Sequence, residues 1–425
     1  MSGQNEFGRG ADFGNLAVAV LGPGVPSLND RRLREVRQSN QTYTMPVYTS
    51  REAWLARAAQ LRRRILVAAG LWPSPPRTPL QAKVWGRLES DGYTVEKVAF
   101  QSFPGFYVTG NLYRPRGQTP GKRYPAVLNP HGHWPQGRLA EEARGSVPAR
   151  CISFARQGYV AFSFDMVGYL DSRQVDHRTF GGWQEWLWGI HPLGLQLWNS
   201  IRSLDFLSEL QDVDPGRLAC TGASGGGTQT FLLTAVDDRV RVAAPVNMIS
   251  AHMQGGCVCE NAPGLRLDTF NVEIAALAAP RPLLLVSATG DWTANTPTVE
   301  FPAIQSIYSL FGAEDRVASV QIDAGHNYNR PSREAVYAFF ARWLADAPAG
   351  TRMSEDAYPV EQDADLRVFP DGEPLPPDAL GTPGVTEALI RRTRAQVHDL
   401  WPGDVLQLEQ FRERFSAGFA DMLAA

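Results

Sequence analysis

The sequence predicts an α/β fold: a mostly parallel central sheet with helices on both faces, a helical N-terminal lead-in and a C-terminal helical extension. Two observations carry this. Short, continuously apolar runs recur at 125–128, 159–164, 217–221, 241–246, 282–288 and 318–322, with helical patterns between them, clearest at 195–210 and 333–344. Strands buried on both faces lose the alternation of half-exposed ones, and parallel neighbours need helical crossovers. Residues 93–100 and 106–113, by contrast, alternate on either side of Gly105, which reads as an antiparallel hairpin leading into the sheet.

In chain order, residues 1–50 are polar and Gly-rich without a sustained period, an arm laid on a surface or partly disordered. Ser50 then offers an N-cap, and Trp54, Leu55, Ala58, Leu61, Ile65 and Leu66 recur at helical spacing. That helix stops before Gly70 and the Pro-rich stretch 72–79. The expected division is an arm and helix at 1–90, a catalytic domain at 91–348 with a lid-like insertion near 168–194, and a strap with helices at 349–425. Within the last part, 359–383 is rich in Pro, Asp and Gly. The helices 385–400 and 404–423 are expected to pack back on the body or to join copies into a homo-oligomer.

Composition narrows the function. A net charge of −3 over 425 residues supplies no basic field for nucleic acid or anionic membrane. No apolar run approaches the roughly 18 residues that span a bilayer. Leu16 to Leu21 is too short for a signal-peptide core and lacks a basic start, so a cytoplasmic protein is expected. Four cysteines make no disulfide framework. No metal or other cofactor is expected: Cys257 and Cys259, beside Glu260, are closer than a usual zinc clip and lack a second pair. His131 and His133, two residues apart in a loop without a carboxylate nearby, make no better case.

The strongest motif is Gly222-Ala223-Ser224-Gly225-Gly226, a Gly-x-Ser-x-Gly directly after a strand and before the helical run 229–235. So sharp a turn strains the serine and lifts its hydroxyl above the sheet, and Gly222 and Gly226 leave room where side chains would collide. The helix N-terminus behind it favours a developing negative charge. Ser224 is therefore the candidate nucleophile. A hydroxyl needs a base, and His326, after the last strand and before the last helix of the pattern, is the one histidine of seven in such a loop. Asp291, which ends the strand 282–288, is the favoured third member. Glu260, after the strand 241–246, is the competitor, and chain order does not separate them. For the oxyanion hole the expected donors are the backbone N–H groups of Gly225 and of His133, the latter in the loop after the strand 125–128.

These residues carry a family likeness. Over roughly 51–346, the helical lead-in, His131-Gly132-His133-Trp134, Gly222–Thr230, Gly290-Asp291-Trp292-Thr293 and Gly325-His326-Asn327 resemble the acetyl-xylan-esterase-like branch of the α/β-hydrolases, related to dienelactone-hydrolase and prolyl-oligopeptidase-type domains. The resemblance implies a cofactor-free serine esterase acting on carboxylic esters, plausibly acetyl groups on carbohydrate. Gly225 stands where similar deacetylases carry Gln and glucuronoyl esterases Arg, which counts against the latter activity. Trp134, Trp183, Trp186 and Arg266 are candidate substrate contacts; Trp183 and Trp186 could stack on sugar faces or simply pack a lid. A serine peptidase remains open because the same triad cleaves amides, although no propeller repeats are visible. So does a non-catalytic binding relative, which would have no need of all three groups.

Overall fold

A computed structural model describes residues 38–423. The arm expected at 1–50 lies mostly outside the described residues. Its described part, 38–50, has no helix or strand, and it is tied to the body by Tyr43 N–H to Ala251 O (2.8 Å) and Gln254 N–H to Ser39 O (2.9 Å).

Nine strands form one sheet in the order β1-β2-β3-β7-β4-β8-β9-β10-β11. β1 (Lys83–Glu89), β2 (Tyr93–Phe103) and β3 (Phe106–Pro115) pair antiparallel, as does β3 with β7 (Val160–Phe164). From β7 onward the sheet is parallel through β4 (Tyr124–Leu128), β8 (Val213–Ala223), β9 (Val240–Val246), β10 (Leu283–Gly290) and β11 (Val317–Gly325). A two-residue pair, β5 (Glu141–Glu142) and β6 (Gly145–Ser146), stands apart. The fold is that of the α/β-hydrolases. β1 is the strand the sequence reading missed: it is an exposed edge, and its ladder shifts between Trp85 and Leu88, on either side of Gly86, so its alternation is broken.

The helices are α1 (Arg51–Ala68), α2 (Val147–Arg156), α3 (Trp183–Leu187), α4 (Pro192–Glu209), α5 (Gly225–Val236), α6 (Asn271–Ala275), α7 (Glu300–Ser309), α8 (Arg330–Leu344), α9 (Asp363–Leu366), α10 (Thr382–Asp399) and α11 (Val405–Leu423). Ser50 caps α1, its Oγ accepting from Ala53 N–H at 3.1 Å. None is long and apolar enough to cross a membrane.

Two apolar cores sandwich the sheet, and successive strand residues go to opposite ones. Leu283 and Leu285 of β10 join α1, α4, α5 and α7, while Leu284 and Val286 join α2 and α8. This pleat-driven division explains the unbroken apolar runs. The C-terminal segment packs back on the body. Val385 and Leu389 of α10 enter the first core, Arg63 of α1 pairs with Asp421 of α11 at 2.7 Å, and Trp72 Nε1 donates to Arg414 O. Leu366 of α9 enters the second core, and its carbonyl accepts from Arg138 and Asn111.

Candidate active site

Ser224, the loop 129–134, Asn247, Asp291 and His326 all follow the carboxyl ends of parallel strands, so they gather along one edge of the sheet. Ser224 sits between β8 and α5 with φ 57° and ψ −122°, backbone that a side chain adopts only at a cost of about 1–3 kcal/mol. Ser224 N–H donates to Val246 O at 3.1 Å, and its carbonyl accepts from Thr228 N–H at 2.9 Å, which fixes the turn on both sides. The N–H groups opening α5, including that of Gly225, have no carbonyl one turn back to bond.

His326 stands three strands away from β8 in the sheet order, and the chain after it closes the distance. Asn327 O accepts from Asn247 Nδ2 (3.1 Å), at the end of β9. Tyr328 then places its hydroxyl 2.6 Å from Thr221 Oγ1, three residues before Ser224, and its N–H donates to Arg144 O. The chain after His326 is therefore anchored to the strand that leads into the elbow. His326 Nδ1 lies 2.8 Å from Asp291 Oδ2, and its ring lies against Trp292 with centroids 4.4 Å apart. Asp291, whose side chain is only 2 % exposed, uses its other oxygen to accept from Thr293 N–H (2.7 Å) and Thr293 Oγ1 (2.5 Å). Among the described residues, no hydrogen bond joins Ser224 Oγ to His326, a contact that in such sites commonly tightens only with substrate.

Glu260 goes elsewhere. Its buried carboxylate accepts from the backbone N–H groups of Gly256 (2.9 Å) and Cys257 (3.0 Å) and from Thr228 Oγ1 (3.3 Å). It braces a loop and makes no bond to His326.

The candidate oxyanion loop is pressed against Ser224. A Cβ on Gly132 would lie 2.7 Å from Ala223 O and 3.2 Å from Ser224 Cβ, so a side chain there would force the loop away. His131 holds the loop from below. Burial drives its pKa down to about 3, so the ring is neutral: Nδ1–H donates to Gly132 O at 2.7 Å and Nε2 accepts from Met166 N–H at 2.8 Å. The His133 N–H makes no hydrogen bond among the described residues and remains available as a donor.

The other sequence candidates are distributed less simply. Trp134 is 7 % exposed and packs into the second core, with Arg144 over its ring. Trp183 and Trp186 are 68 % and 47 % exposed on α3 and contact each other edge-on. That helix is bonded to α10 through Glu185 and Thr386, and Gly189 just beyond it abuts Gly70 at the end of α1. Arg266 donates to Glu260 O, Asn261 Oδ1 and Asn271 Oδ1 within its own loop, and burial lowers its pKa to about 10.

The expectation that Cys257 and Cys259 lack partners is overturned. Their second pair consists of histidines from two other loops. His133 Nε2 lies 3.2 Å from Cys259 Sγ, His177 Nε2 lies 3.4 Å from Cys257 Sγ, and all four atoms fall within 4.8 Å of one another. Cys259 beside it draws the Cys257 thiol down to about 2 against the effect of burial, with His133 and His177 adding to the pull. Local spacing could not reveal this, because the insertion that carries His177 shows no periodicity to place it.

No protein-family model matches the chain. The solved structure of "Methylesterase BT1017" is 32% identical, covers 83% of this chain and 78% of its own, and superposes with a TM-score of 0.69. The chain belongs to the same family of α/β-hydrolase serine esterases. "Putative hydrolase YtaP" of Bacillus subtilis is 27% identical over 52% of this esterase and 79% of its own length. Dipeptidyl peptidase 8 of Mus musculus is 30% identical over 48% of the esterase, which spans only 20% of that protein. The esterase hydrolyses carboxylic esters.

Proposed function

We propose that Ser224, His326 and Asp291 form the catalytic triad, and that the substrate is a small alkyl ester on a carbohydrate, foremost a methyl ester of a uronic acid unit. The carrying observation is the His326–Asp291 contact at 2.8 Å, together with the strained elbow conformation of Ser224. His326 Nε2 takes the proton as Ser224 Oγ attacks the ester carbonyl, and returns it to the departing alcohol. Water then repeats the sequence to free the acid and Ser224. Asp291 holds Nδ1–H and stabilises the imidazolium. The N–H groups of Gly225 and His133 receive the oxyanion.

The methyl ester is favoured by the likeness to a methylesterase at 32% identity. An acetylated sugar is the second substrate to test, following the sequence resemblance.

The test is release of methanol from methyl-esterified uronate oligosaccharides, beside release of acetate from acetylated xylo-oligosaccharides and of amine from peptide anilides. Methanol release is expected to lead, and Ser224→Ala and His326→Ala should each lower it by about 10⁴–10⁶-fold. A fluorophosphonate should label Ser224. Wild-type turnover in either folded variant, or an unlabelled Ser224, overturns the triad. Faster acetate or amine release overturns the substrate.

A further inference from the structure

We propose that His133, His177, Cys257 and Cys259 bind one zinc ion, and that this ion holds the oxyanion loop in place. Two thiolates and two imidazoles are a donor set that suits zinc. With metal–sulfur bonds near 2.3 Å and metal–nitrogen bonds near 2.0 Å, a tetrahedral site has edges of roughly 3.3–3.8 Å. The two cross-pairs stand at 3.2 and 3.4 Å, and no pair of donor atoms exceeds 4.8 Å.

The surroundings orient the donors. His177 Nδ1–H donates to Val167 O at 2.6 Å, leaving the Nε2 lone pair to face Cys257. Outer-shell carbonyls of this kind fix metal-binding imidazoles elsewhere. The Cys-x-Cys loop is held from behind by Glu260, which accepts from Gly256 and Cys257 N–H, and by Asn261 Nδ2, which donates to Gly255 O and Cys257 O. This gives Glu260 and Arg266 a common task, since Arg266 in turn fastens the Glu260 and Asn261 end of the loop.

Four protein donors close the coordination sphere, so the ion is structural and not a source of activated water. It joins three loops: the oxyanion loop through His133, the insertion through His177, and the segment after β9 through both cysteines. Its position bears on the nucleophile as well. A Cβ at Gly225 would lie 2.8 Å from His133 Cε1 and 3.1 Å from its Nδ1. The imidazole thus fills the space that a side chain after the nucleophile would take. In this chain glycine is the residue compatible with the zinc-bound histidine, and the anchored ring fixes the backbone N–H that faces the oxyanion.

The binding claim stands apart from the esterase reading; the effect on turnover rests on it. Metal analysis of the full chain should find one zinc per chain in the wild type. The Cys257→Ser/Cys259→Ser variant should hold less than about a tenth of that. Should that variant fail to fold, wild-type protein stripped by chelator and loaded with Co²⁺ gives the same answer. A tetrahedral ligand-field band with thiolate charge transfer is expected. Stripping should lower kcat by about 10²-fold, the size of a lost oxyanion donor, while fluorophosphonate still labels Ser224, and stoichiometric Zn²⁺ should restore kcat. Less than a tenth of an equivalent of metal after zinc loading, an octahedral cobalt spectrum, or the mass of a Cys257–Cys259 disulfide overturns the site. Metal bound without any effect on kcat overturns its hold on the oxyanion loop.

Discussion

The Tyr328 hydroxyl lies 2.6 Å from Thr221 Oγ1, joining the loop of the proposed base to the strand of the proposed nucleophile. Thr221 Oγ1 donates to Ala244 O at 2.7 Å, so it is Tyr328 that donates to Thr221. Both residues are buried, and the bond ties the segment after His326 to the strand before Ser224.

Tyr328→Phe and Thr221→Val should therefore each lower kcat by about tenfold, because small displacements of a reacting group are costly. KM should stay nearly unchanged. As the two residues act through one bond, the double variant should be little worse than either single one. Steady-state kinetics on a small methyl ester reads this. Full additivity of the two losses would show that the bond does not position the base.

Asp291 and Glu260 are both buried carboxylates that a sequence could nominate as the acid, and their partners separate them. Asp291→Asn removes the charge that fixes the His326 tautomer and stabilises its imidazolium, and should lower kcat by about 10⁴-fold. Glu260→Gln keeps an oxygen for the Gly256 and Cys257 N–H groups and should stay within about tenfold of wild type, the scale of one weakened hydrogen bond. A reversed order of losses would make Glu260 the acid.

The elements visible in the sequence were those governed by local pattern. The apolar runs of β4, β7, β8, β9, β10 and β11 and the glycines around Ser224 announce themselves because burial and turn sterics act on neighbouring residues. β1 escaped notice because Gly86 and its exposure remove the pattern. The convergence of His133 and His177 with Cys257 and Cys259 was out of reach for another reason: three loops meet there, and only the sheet order brings them together. Trp134 looked like a binding surface because an indole beside a catalytic loop can serve as one, and only tertiary packing shows it inside the second core.

His191 gives the esterase a built-in acid sensitivity. It caps α4, its Nδ1 accepting from Gly194 N–H at 3.2 Å while Nε2–H donates to Ala68 O at 2.6 Å. The Nδ1 bond needs the neutral ring, and burial lowers its pKa below the ordinary 6.5 even though the Ala68 bond favours the charged form. The unfolded chain takes up this proton first. The stability that His191 supplies is therefore complete above pH 6.5 and drains away as pH falls below it. His191→Asn keeps a capping oxygen but cannot titrate. Between pH 6.5 and 4.5 its unfolding free energy should fall less steeply than that of wild type, by up to about 1.4 kcal/mol per pH unit. Urea titrations at several pH values measure the slopes; parallel slopes would remove His191 as the cause.

Arg138 is the fully buried tie between the sheet, the insertion and the C-terminal strap. It pairs with Asp165 just after β7 and with Asp171 (2.7 Å), and donates to Asn111 Oδ1 (2.7 Å) and Leu366 O (3.0 Å). Removing only the cation leaves the buried Asp165 carboxylate without an ion partner, while Asp171 keeps Arg367 at 2.7 Å, so Arg138→Met should cost about 3–5 kcal/mol of stability. Neutralising the partners as well, with Asp165→Asn and Asp171→Asn, should return part of that loss, because buried amides are cheaper than unpaired charges. The consequence extends to the proposed site: Met166, next to Asp165, donates its N–H to His131, which holds the proposed oxyanion loop. Arg138→Met should then lower kcat in the fraction that stays folded, and the triple variant should recover stability more fully than turnover. Urea midpoints and kcat measured on the same preparations test both parts. A cost below about 1 kcal/mol for Arg138→Met alone would mean that the carboxylates find water or protons once the arginine is gone.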